Sequence, residues 1–167
     1  IATDRISAFD VIMPKGITYK GQILNQISVE MLNKTKDIVS NWLISSPDPN
    51  ISYGIKCKPL KIEMVVRGYL SGHSYRLYRS GLRNICGNIL KENMIENDQF
   101  KEPIVTPTTK AEIGSHDQDI SPSEIISRKI LDKKLYEKLH YISLELFKRG
   151  TEIAKKGVSN ISRTDNQ

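Results

Sequence analysis

The residues best suited to chemistry in this 167-residue chain lie between Lys61 and His73. Apolar and polar side chains alternate there as in a β-strand, so that Glu63 and Arg67 share one face. The strand runs into a glycine-containing turn at Ser71, and a segment predicted to be a short helix follows. An arginine fork and the unpaired amides of a helix start can together bind an anion. The same pattern also fits a half-exposed strand with a surface ion pair, and spacing alone favours this second interpretation.

A second group of polar side chains lies on a loop near the start of the sequence: Asp4, Arg5, Ser7 and Asp10. Carboxylates, a guanidinium and a hydroxyl on one loop can orient a polar substrate. The same groups can instead cap the next element or pair with one another. Both interpretations stay open from the residue types.

A third group follows a predicted extended segment and consists of Thr109, Lys110, Glu112, His116 and Asp117. Hydroxyls, a cation and a His–Asp pair on irregular chain are candidates for contacts with a polar ligand. A loop histidine beside an aspartate is also typical of a simple surface hydrogen bond. The pattern by itself favours that second interpretation.

The elements that must position these groups are mixed helices and strands. A helix of about 18 residues after Gly21 is predicted from apolar positions at helical spacing. We expect its buried face to consist of Ile23, Leu24, Ile27, Met31 and Leu32. Strands are expected at 41–44, 53–57 and 62–67, a turn at 45–50, a loop over 82–102 and an extended segment at 103–107.

The last part of the chain is predicted to be helical. Ser121, Pro122 and Glu124 form the pattern of a capped helix start. A longer amphipathic helix is expected after Asp132, with Gly157 as its stop. Residues 158–167 are polar and without pattern, so we expect a disordered tail there.

Composition narrows the classes of function. The net charge is +6, but residues 128–156 alone carry nine Lys/Arg against four Asp/Glu, with acid–base pairs four positions apart. This arrangement is typical of a solvated helix face, so nucleic-acid binding is not predicted. No apolar run approaches the roughly 20 residues of a membrane-spanning helix. Cys57 and Cys86 are not spaced as a metal knuckle and indicate reduced thiols in a cytoplasm.

Four segments of the sequence resemble one enzyme family. They are DRISAFDVIMP at 4–14, CKPLKIEMVVRGYLSG at 57–72, PIVTPTTKAEIGSHDQDIS at 103–121 and LFKRGTEIAKKG at 146–157. In order and spacing they resemble SAICAR synthetase, the phosphoribosylaminoimidazole-succinocarboxamide synthase of purine biosynthesis. The resemblance extends over nearly everything up to Gly157.

The resemblance implies a ligase that depends on ATP and Mg²⁺. Family members join L-aspartate to carboxyaminoimidazole ribonucleotide and release ADP and phosphate, with an acyl phosphate as the activated form of the carboxylate. Three anionic ligands must be gathered, so cationic side chains and amide-rich turns are needed to offset their repulsion. The implied partners are these small molecules, with no nucleic acid and no membrane, while a homo-oligomeric state is left open.

The implied fold is α+β with two lobes. Residues 1–67 would be a remnant of an N-terminal nucleotide-binding lobe with an antiparallel sheet, and residues 68–157 an α/β substrate-binding lobe. The family's glycine-rich, lysine-containing segment is not found before Ile1, nor its acidic late strand after the last helix. We therefore expect a chain truncated at both ends. The alternative function is an inactive remnant that at most binds ribonucleotide.

Carried over by motif, the resemblance implies three sets of site residues. Arg67, Ser71 and His73 would bind the ribonucleotide phosphate, although many family members have serine where His73 stands. The other substrate-binding residues would be Asp4, Arg5, Ser7, Asp10, Thr109, Glu112 and His116. Lys58, Leu60 and Glu63 would contact the nucleotide cofactor, and Lys110 and Asp117 would be catalytic. No metal ligand is assigned.

Overall fold

The structure is a computed structural model that describes residues 1–8, 11–110 and 117–164, with side chains described as far as Gly157. It divides into two compact units, Ile1–Lys58 and Pro59–Gln167. The division comes before the boundary at Arg67 that the sequence predicts. The physical reason is strand pairing, because residues 62–69 pair with strands later in the chain, between 99 and 109.

The described part of the first unit is a helix with two antiparallel strand pairs. Its elements are β1 (Ser7–Ala8), β2 (Val11–Ile12), α1 (Lys20–Lys34), β3 (Leu43–Asp48) and β4 (Ile51–Gly54). β1 pairs with β2, and β3 pairs with β4. The predicted turn at 45–50 is therefore wrong in extent, since β3 continues to Asp48 and only residues 49–50 turn.

The buried face of α1 differs from the prediction. Ile23, Leu24 and Ile27 are 54%, 51% and 52% exposed, whereas Gly21 and Asn25 are the buried residues of this helix. The reason is a polar contact of the Asn25 side chain. Its Nδ2 donates to Pro49 O at 3.0 Å, and its Oδ1 accepts from Ser52 Oγ at 2.7 Å. The Asn25 side of the helix thus faces the β3–β4 ribbon, while Ile23, Leu24 and Ile27 stay exposed.

The second unit contains the remaining elements of the described chain. They are β5 (Ile62–Glu63), β6 (Val66–Tyr69), α2 (Gly72–Arg79), β7 (Asn84–Ile85), β8 (Asn88–Ile89), β9 (Gln99–Val105), β10 (Thr108–Thr109), α3 (Pro122–Ser127) and α4 (Lys133–Thr164). The pairs β5–β10, β6–β9 and β7–β8 are all antiparallel. Helices with small antiparallel sheets confirm the predicted α+β class.

The loop predicted over 82–102 is wrong, because it contains β7, β8 and the start of β9. β7 and β8 form a hairpin around Cys86 and Gly87, which both have positive φ, 51° and 86°. Positive φ at both central residues is the conformation that a tight hairpin turn needs, and glycine adopts it freely. Two-residue strands in a polar sequence are too short to leave an alternation pattern.

Among the described residues, two apolar clusters form the core of the second unit. One contains Ile62, Ile120, Ile125, Leu131 and Tyr136, and the other contains Leu70, Tyr78, Ile85, Leu90 and Phe100. Leu70 is fully buried, its amide donates to Asp98 O and its carbonyl accepts from the Asn97 amide, both at 2.8 Å. The chain between β6 and α2 is therefore fixed from both sides of its backbone.

The predicted start of α3 is confirmed, whereas the predicted end of α4 is wrong. Ser121 and Glu124 form the capping box that their spacing predicts. α4 continues through Gly157 to Thr164, so the tail expected from Val158 is helical over most of its length. A glycine inside a helix costs only about 1 kcal/mol and need not end it. Among the described residues, no helix is long and apolar enough to cross a membrane.

Candidate anion-binding site

Arg67 lies on β6, opposite Ile104 of β9, and its side chain is partly buried. Its Nε donates to Thr106 Oγ1 at 2.9 Å. Thr106 is 1% exposed and is itself fixed by its amide, which donates to Val65 O at 2.8 Å. Within the described residues, the terminal guanidinium nitrogens have no acceptor. The result is an oriented guanidinium with its outer donors available to an anion.

The start of α2 follows Arg67 closely along the same chain segment. Ser71 is the N-cap residue, but its hydroxyl accepts no bond from a helix amide. The hydroxyl of the buried Ser74 donates to Ser71 O at 2.8 Å and fixes the turn. Gly72 has φ +56°, a left-handed conformation in which a side chain would be strained. The first-turn amides of such a helix are anion donors.

His73 joins the start of α2 to a distant loop. Its Nε2 lies 2.8 Å from Asp119 Oδ2, and the two side chains are 45% and 28% exposed. Asp119 forms an isolated antiparallel bridge with Thr108, and the next amide, that of Ile120, donates to Pro107 O at 3.0 Å. The histidine is thus held by a residue whose own backbone is fixed.

The β5–β10 ladder brings three of the predicted residues together. Thr108 pairs with Glu63 and Thr109 with Ile62, while the Lys110 amide donates to Lys61 O at 3.0 Å. The Thr109 amide also donates to Gln118 O at 2.8 Å. Glu63, Thr109 and Lys110 therefore share one ladder, which Asp119 connects to His73.

A polar cavity of about 360 Å³ lies beside Asp119 and is lined also by Asn84, Cys86, Ser121 and Glu124. Burial raises the pKa of the Cys86 thiol from 9.0 to about 11, and the charge of Asp119 acts in the same direction. The Arg67 guanidinium acts in the opposite direction on the same pKa. Arg67 and Asp119 are therefore both electrostatic neighbours of this thiol, which stays protonated at neutral pH.

The predicted residues of the first unit have structural contacts of their own. Asp4 Oδ1 accepts from the Gly21 amide at 2.9 Å, and its Oδ2 accepts from the Tyr19 amide at 3.2 Å. The carboxylate thus caps the start of α1, which is the capping alternative that the sequence left open. Arg5 Nε donates to Thr3 Oγ1 at 3.4 Å, and Ser7 pairs with Ile12 in the β1–β2 ribbon.

The structure describes three of the remaining predicted residues, and three lie outside its described ranges. Lys58 ends the first unit and Leu60 lies at the start of the second, both exposed. Asp117 is exposed. Asp10, Glu112 and His116 lie outside the described residues. In the part of the chain that the structure describes, no group of three or more His, Cys, Asp or Glu residues is arranged to hold a metal ion.

Three residues of this neighbourhood do not stand out in the sequence as site residues: Thr106, Asp119 and Cys86. Thr106 and Arg67 are 39 positions apart, and His73 and Asp119 are 46 apart. No periodicity or spacing rule connects residues at such distances. The signal that could have identified Thr106 is a hydroxyl between two apolar positions of an extended segment, but it does not single out a partner.

Comparison with known proteins identifies the family. The SAICAR synthetase family profile matches residues 1–161. Phosphoribosylaminoimidazole-succinocarboxamide synthases of Flavobacterium psychrophilum and Bacteroides thetaiotaomicron are 56% and 55% identical over 154 residues, which is 92% of this chain and 49% of each relative. The chain therefore spans about half the length of the curated relatives that it matches.

Solved structures agree with these relatives. The Saccharomyces cerevisiae SAICAR-synthase complexed with SAICAR superposes with a TM-score of 0.81 at 26% identity, over 93% of this chain and 56% of that one. SAICAR synthetase from Pyrococcus horikoshii has the same fold, with a TM-score of 0.74 at 22% identity, over 93% of this chain and 63% of that one. The chain belongs to the SAICAR synthetase family.

Proposed function

We propose that this chain provides the ribonucleotide-binding part of an ATP-dependent ligase that joins L-aspartate to carboxyaminoimidazole ribonucleotide and forms SAICAR, ADP and phosphate. The observation that carries the proposal is Arg67, whose Nε is held by buried Thr106 while its outer donors remain available. Family membership supplies the substrate class, because the yeast relative is a SAICAR-synthase complexed with SAICAR.

Arg67 and the start of α2 would bind the ribonucleotide phosphate. A guanidinium donates two parallel hydrogen bonds to phosphate oxygens, and the amides of a helix start add donors and a favourable dipole. Ser71 adds a hydroxyl that caps no amide of α2. A phosphate held in this way would fix one end of the ribonucleotide, and the rest of it would extend toward the β5–β10 ladder.

Lys110 and Asp117 remain the proposed catalytic residues. Lys110 is exposed and follows Thr109 directly, so its ammonium would lie close to a ribonucleotide carboxylate held near β10. A cation there offsets the negative charge that grows as the carboxylate is phosphorylated. Asp117 would accept the proton that the attacking amine of aspartate loses.

The other substrate contacts in the proposal come from two segments of the chain. Thr109, Glu112 and His116 would enclose the base of the ribonucleotide. The loop near the start of the chain supplies the remaining proposed contacts, which are Asp4, Arg5, Ser7 and Asp10.

ATP supplies the activating phosphoryl group in this reaction, and we propose that Lys58, Leu60 and Glu63 contact it. Leu60 offers an apolar side chain to an adenine ring, and the Lys58 ammonium can offset phosphate charge. Mg²⁺ is part of the proposal as the counterion of ATP. Within the described residues, no carboxylate cluster fits a metal ion, so no ligand is assigned to it.

Arg67→Ala tests the phosphate assignment by isothermal titration calorimetry of the 167-residue chain with SAICAR. A lost charge-assisted pair is worth about 1.5–3 kcal/mol, which is roughly a 10- to 150-fold weaker affinity. Arg79→Ala, which removes an exposed arginine at the end of the same helix, is the matched control and should bind as the parent chain does. Equal affinities of both variants would show that Arg67 does not hold the phosphate.

Turnover separates the ligase from a remnant that only binds ribonucleotide. A protein containing this chain should release ADP only when aspartate and carboxyaminoimidazole ribonucleotide are both present. ADP release that is independent of aspartate would contradict the ligase. SAICAR binding without any ADP release by the chain alone would support the remnant for this chain.

A further inference from the structure

His73 and Asp119 connect the start of α2 to the loop that precedes α3. The Nε2–Oδ2 distance of 2.8 Å is that of a charge-assisted hydrogen bond. His73 is the second residue of α2, after Gly72, and Arg67 lies on the strand that leads into the same turn. Leu70, fully buried between them, keeps that turn in place. Guanidinium and imidazole therefore flank one rigid turn.

Hydrogen-bond chemistry fixes the tautomer of His73. An ionised aspartate only accepts hydrogen bonds, so the ring nitrogen that faces Asp119 must carry a proton. With Nε2 protonated, the neutral ring has a lone pair at Nδ1 and repels an anion there. Only the imidazolium carries a second proton, at Nδ1, and can donate to an anion while it keeps its bond to Asp119.

The backbone around Asp119 is fixed, so its carboxylate cannot easily move away from His73. Asp119 is held through its bridge to Thr108 and through the neighbouring Ile120, which is 2% exposed and bonded to Pro107 O. The ring is thus fixed by an element other than its own helix. A ring held in this way has one nitrogen committed to the protein and the other available to a ligand.

Within the described ranges, the ionisable groups that line the cavity beside Asp119 keep one charge state near neutral pH. Cys86 stays protonated because burial raises its pKa to about 11, and hydrogen bonds from Ser121 lower the pKa of Glu124 below its usual range. Arg67 keeps its charge. Asp119 is the titratable group in contact with His73 among the described residues. Imidazole is the side chain that changes charge near neutral pH.

We propose that His73, oriented by Asp119, is a specificity-determining residue that binds the ribonucleotide phosphate only as the imidazolium, so that binding takes up one proton. Neutral His73 presents a lone pair to the phosphate, and protonated His73 presents a donor and a positive charge. Affinity should therefore fall as the pH rises, by up to about tenfold per pH unit for one linked proton. This inference rests on the proposed function, because it concerns the same phosphate.

The test is calorimetric titration of the 167-residue chain with SAICAR from pH 6 to pH 8, with unfolding temperatures as a check on folding. The affinity of the parent chain is divided by that of His73→Gln at each pH, which cancels the titration of the phosphate itself. We expect this ratio to fall as the pH rises from 6 to 8, by up to about tenfold per pH unit for one linked proton. His140→Gln, on α4, is the matched control and should follow the parent chain at every pH.

Asp119→Asn distinguishes control of the His73 tautomer from a merely structural contact, because only the former changes the pH dependence of binding. The introduced amide can donate to Nε2, so a neutral His73 can then carry its proton at Nδ1 and donate to the phosphate. We expect this variant to lose most of the pH dependence while it still binds at pH 8. The nucleoside form of SAICAR, which has no phosphate, should show no pH-dependent difference between the parent chain and His73→Gln.

The outcomes separate the two proposals. A ratio that does not change with pH overturns the role of His73, as does an Asp119→Asn variant with the pH dependence of the parent chain. If the ratio does not change with pH while Arg67→Ala weakens binding by the roughly 10- to 150-fold expected of it, the proposed function stands without this inference. Absence of SAICAR binding by the parent chain at every pH overturns both.

Discussion

At the scale of single residues, the direction of the Arg67 guanidinium depends on one hydroxyl. Thr106 Oγ1 accepts from Arg67 Nε, and Thr106 is itself 1% exposed and bonded through its backbone. A long side chain with many rotamers is thereby restricted before any ligand arrives. Such restriction lowers the conformational entropy lost on binding, which favours affinity.

Thr106→Val should weaken SAICAR binding without changing the shape of the core. The methyl group replaces the acceptor of the Arg67 bond at nearly constant volume, so the Arg67 side chain must then be ordered by the ligand, at about 0.5–1.5 kcal/mol for one long side chain. Titration calorimetry should show a loss of affinity by roughly two- to tenfold. Thr151→Val on α4 is the control, because its hydroxyl bonds to Phe147 O in its own helix. Equal affinity of both variants would contradict the orienting role.

Residue types predicted part of this site, and contacts over long sequence distances supplied the rest. Arg67, Ser71 and His73 are close along the chain, so a strand–turn–helix pattern identifies them together. The family resemblance assigns Asp4 to the substrate, and the structure adds a capping contact, because both of its carboxylate oxygens accept amide bonds from residues 15 and 17 positions away. A carboxylate that caps a helix and one that binds a ligand look the same in a sequence.

At the scale of elements, α3 positions the cavity beside Asp119 through its first turn. Ser121 Oγ accepts from the Glu124 amide, and the Glu124 carboxylate accepts from the Ser121 amide at 3.0 Å. Both residues line the cavity with Asp119. The capping box is predictable from its spacing because it is local, with both partners within four residues.

Ser121→Ala should lower the free energy of unfolding by about 1 kcal/mol, the usual cost of losing an N-cap hydroxyl. Hydrogen bonds from Ser121 lower the pKa of Glu124, so their stabilisation is present above the usual titration range of Glu124 and is lost as the pH falls. Urea unfolding at pH 7 should therefore show a larger difference from the parent chain than unfolding at pH 3. Ser127→Ala at the far end of α3 is the control. A difference that grows on acidification would contradict the capping account.

Two parts of the structure, α1 and the β7–β8 hairpin, show where local patterns stop being informative. The apolar stripe of α1 has the spacing of a buried face, yet Asn25 on another side of the helix makes the contacts with the β3–β4 ribbon. β7 and β8 have two residues each, so they offer no periodicity to detect. In both cases tertiary contacts decide the outcome, and single-sequence patterns do not contain them.

At the scale of the whole chain, the buried apolar residues are unevenly distributed. Every buried hydrophobic residue in the described ranges lies between Ile62 and Tyr136, in the second unit. The buried residues of α1 are a glycine and an asparagine. Apolar burial is the main stabilising contribution in folding, so the second unit should be the more stable one.

Amide hydrogen exchange should reveal this difference directly. The amides of Leu70 and Ile120 are hydrogen-bonded within the core of the second unit and should exchange slowly, close to the rate set by global unfolding. The amides in the middle of α1, around Ile27, should exchange faster, because that helix is covered on one side only. Equal protection of the two sets would contradict a core confined to the second unit.

The most direct test of the central claim is a ¹H–¹⁵N NMR titration of the 167-residue chain with SAICAR. A phosphate bound by Arg67 and the start of α2 should shift the Arg67 Nε–H signal and the backbone amides of Gly72, His73 and Ser74 in a saturable manner. Asp119 should respond through its bond to His73. Saturable shifts that leave these residues unchanged, or no shifts at saturating SAICAR, would contradict the proposed site.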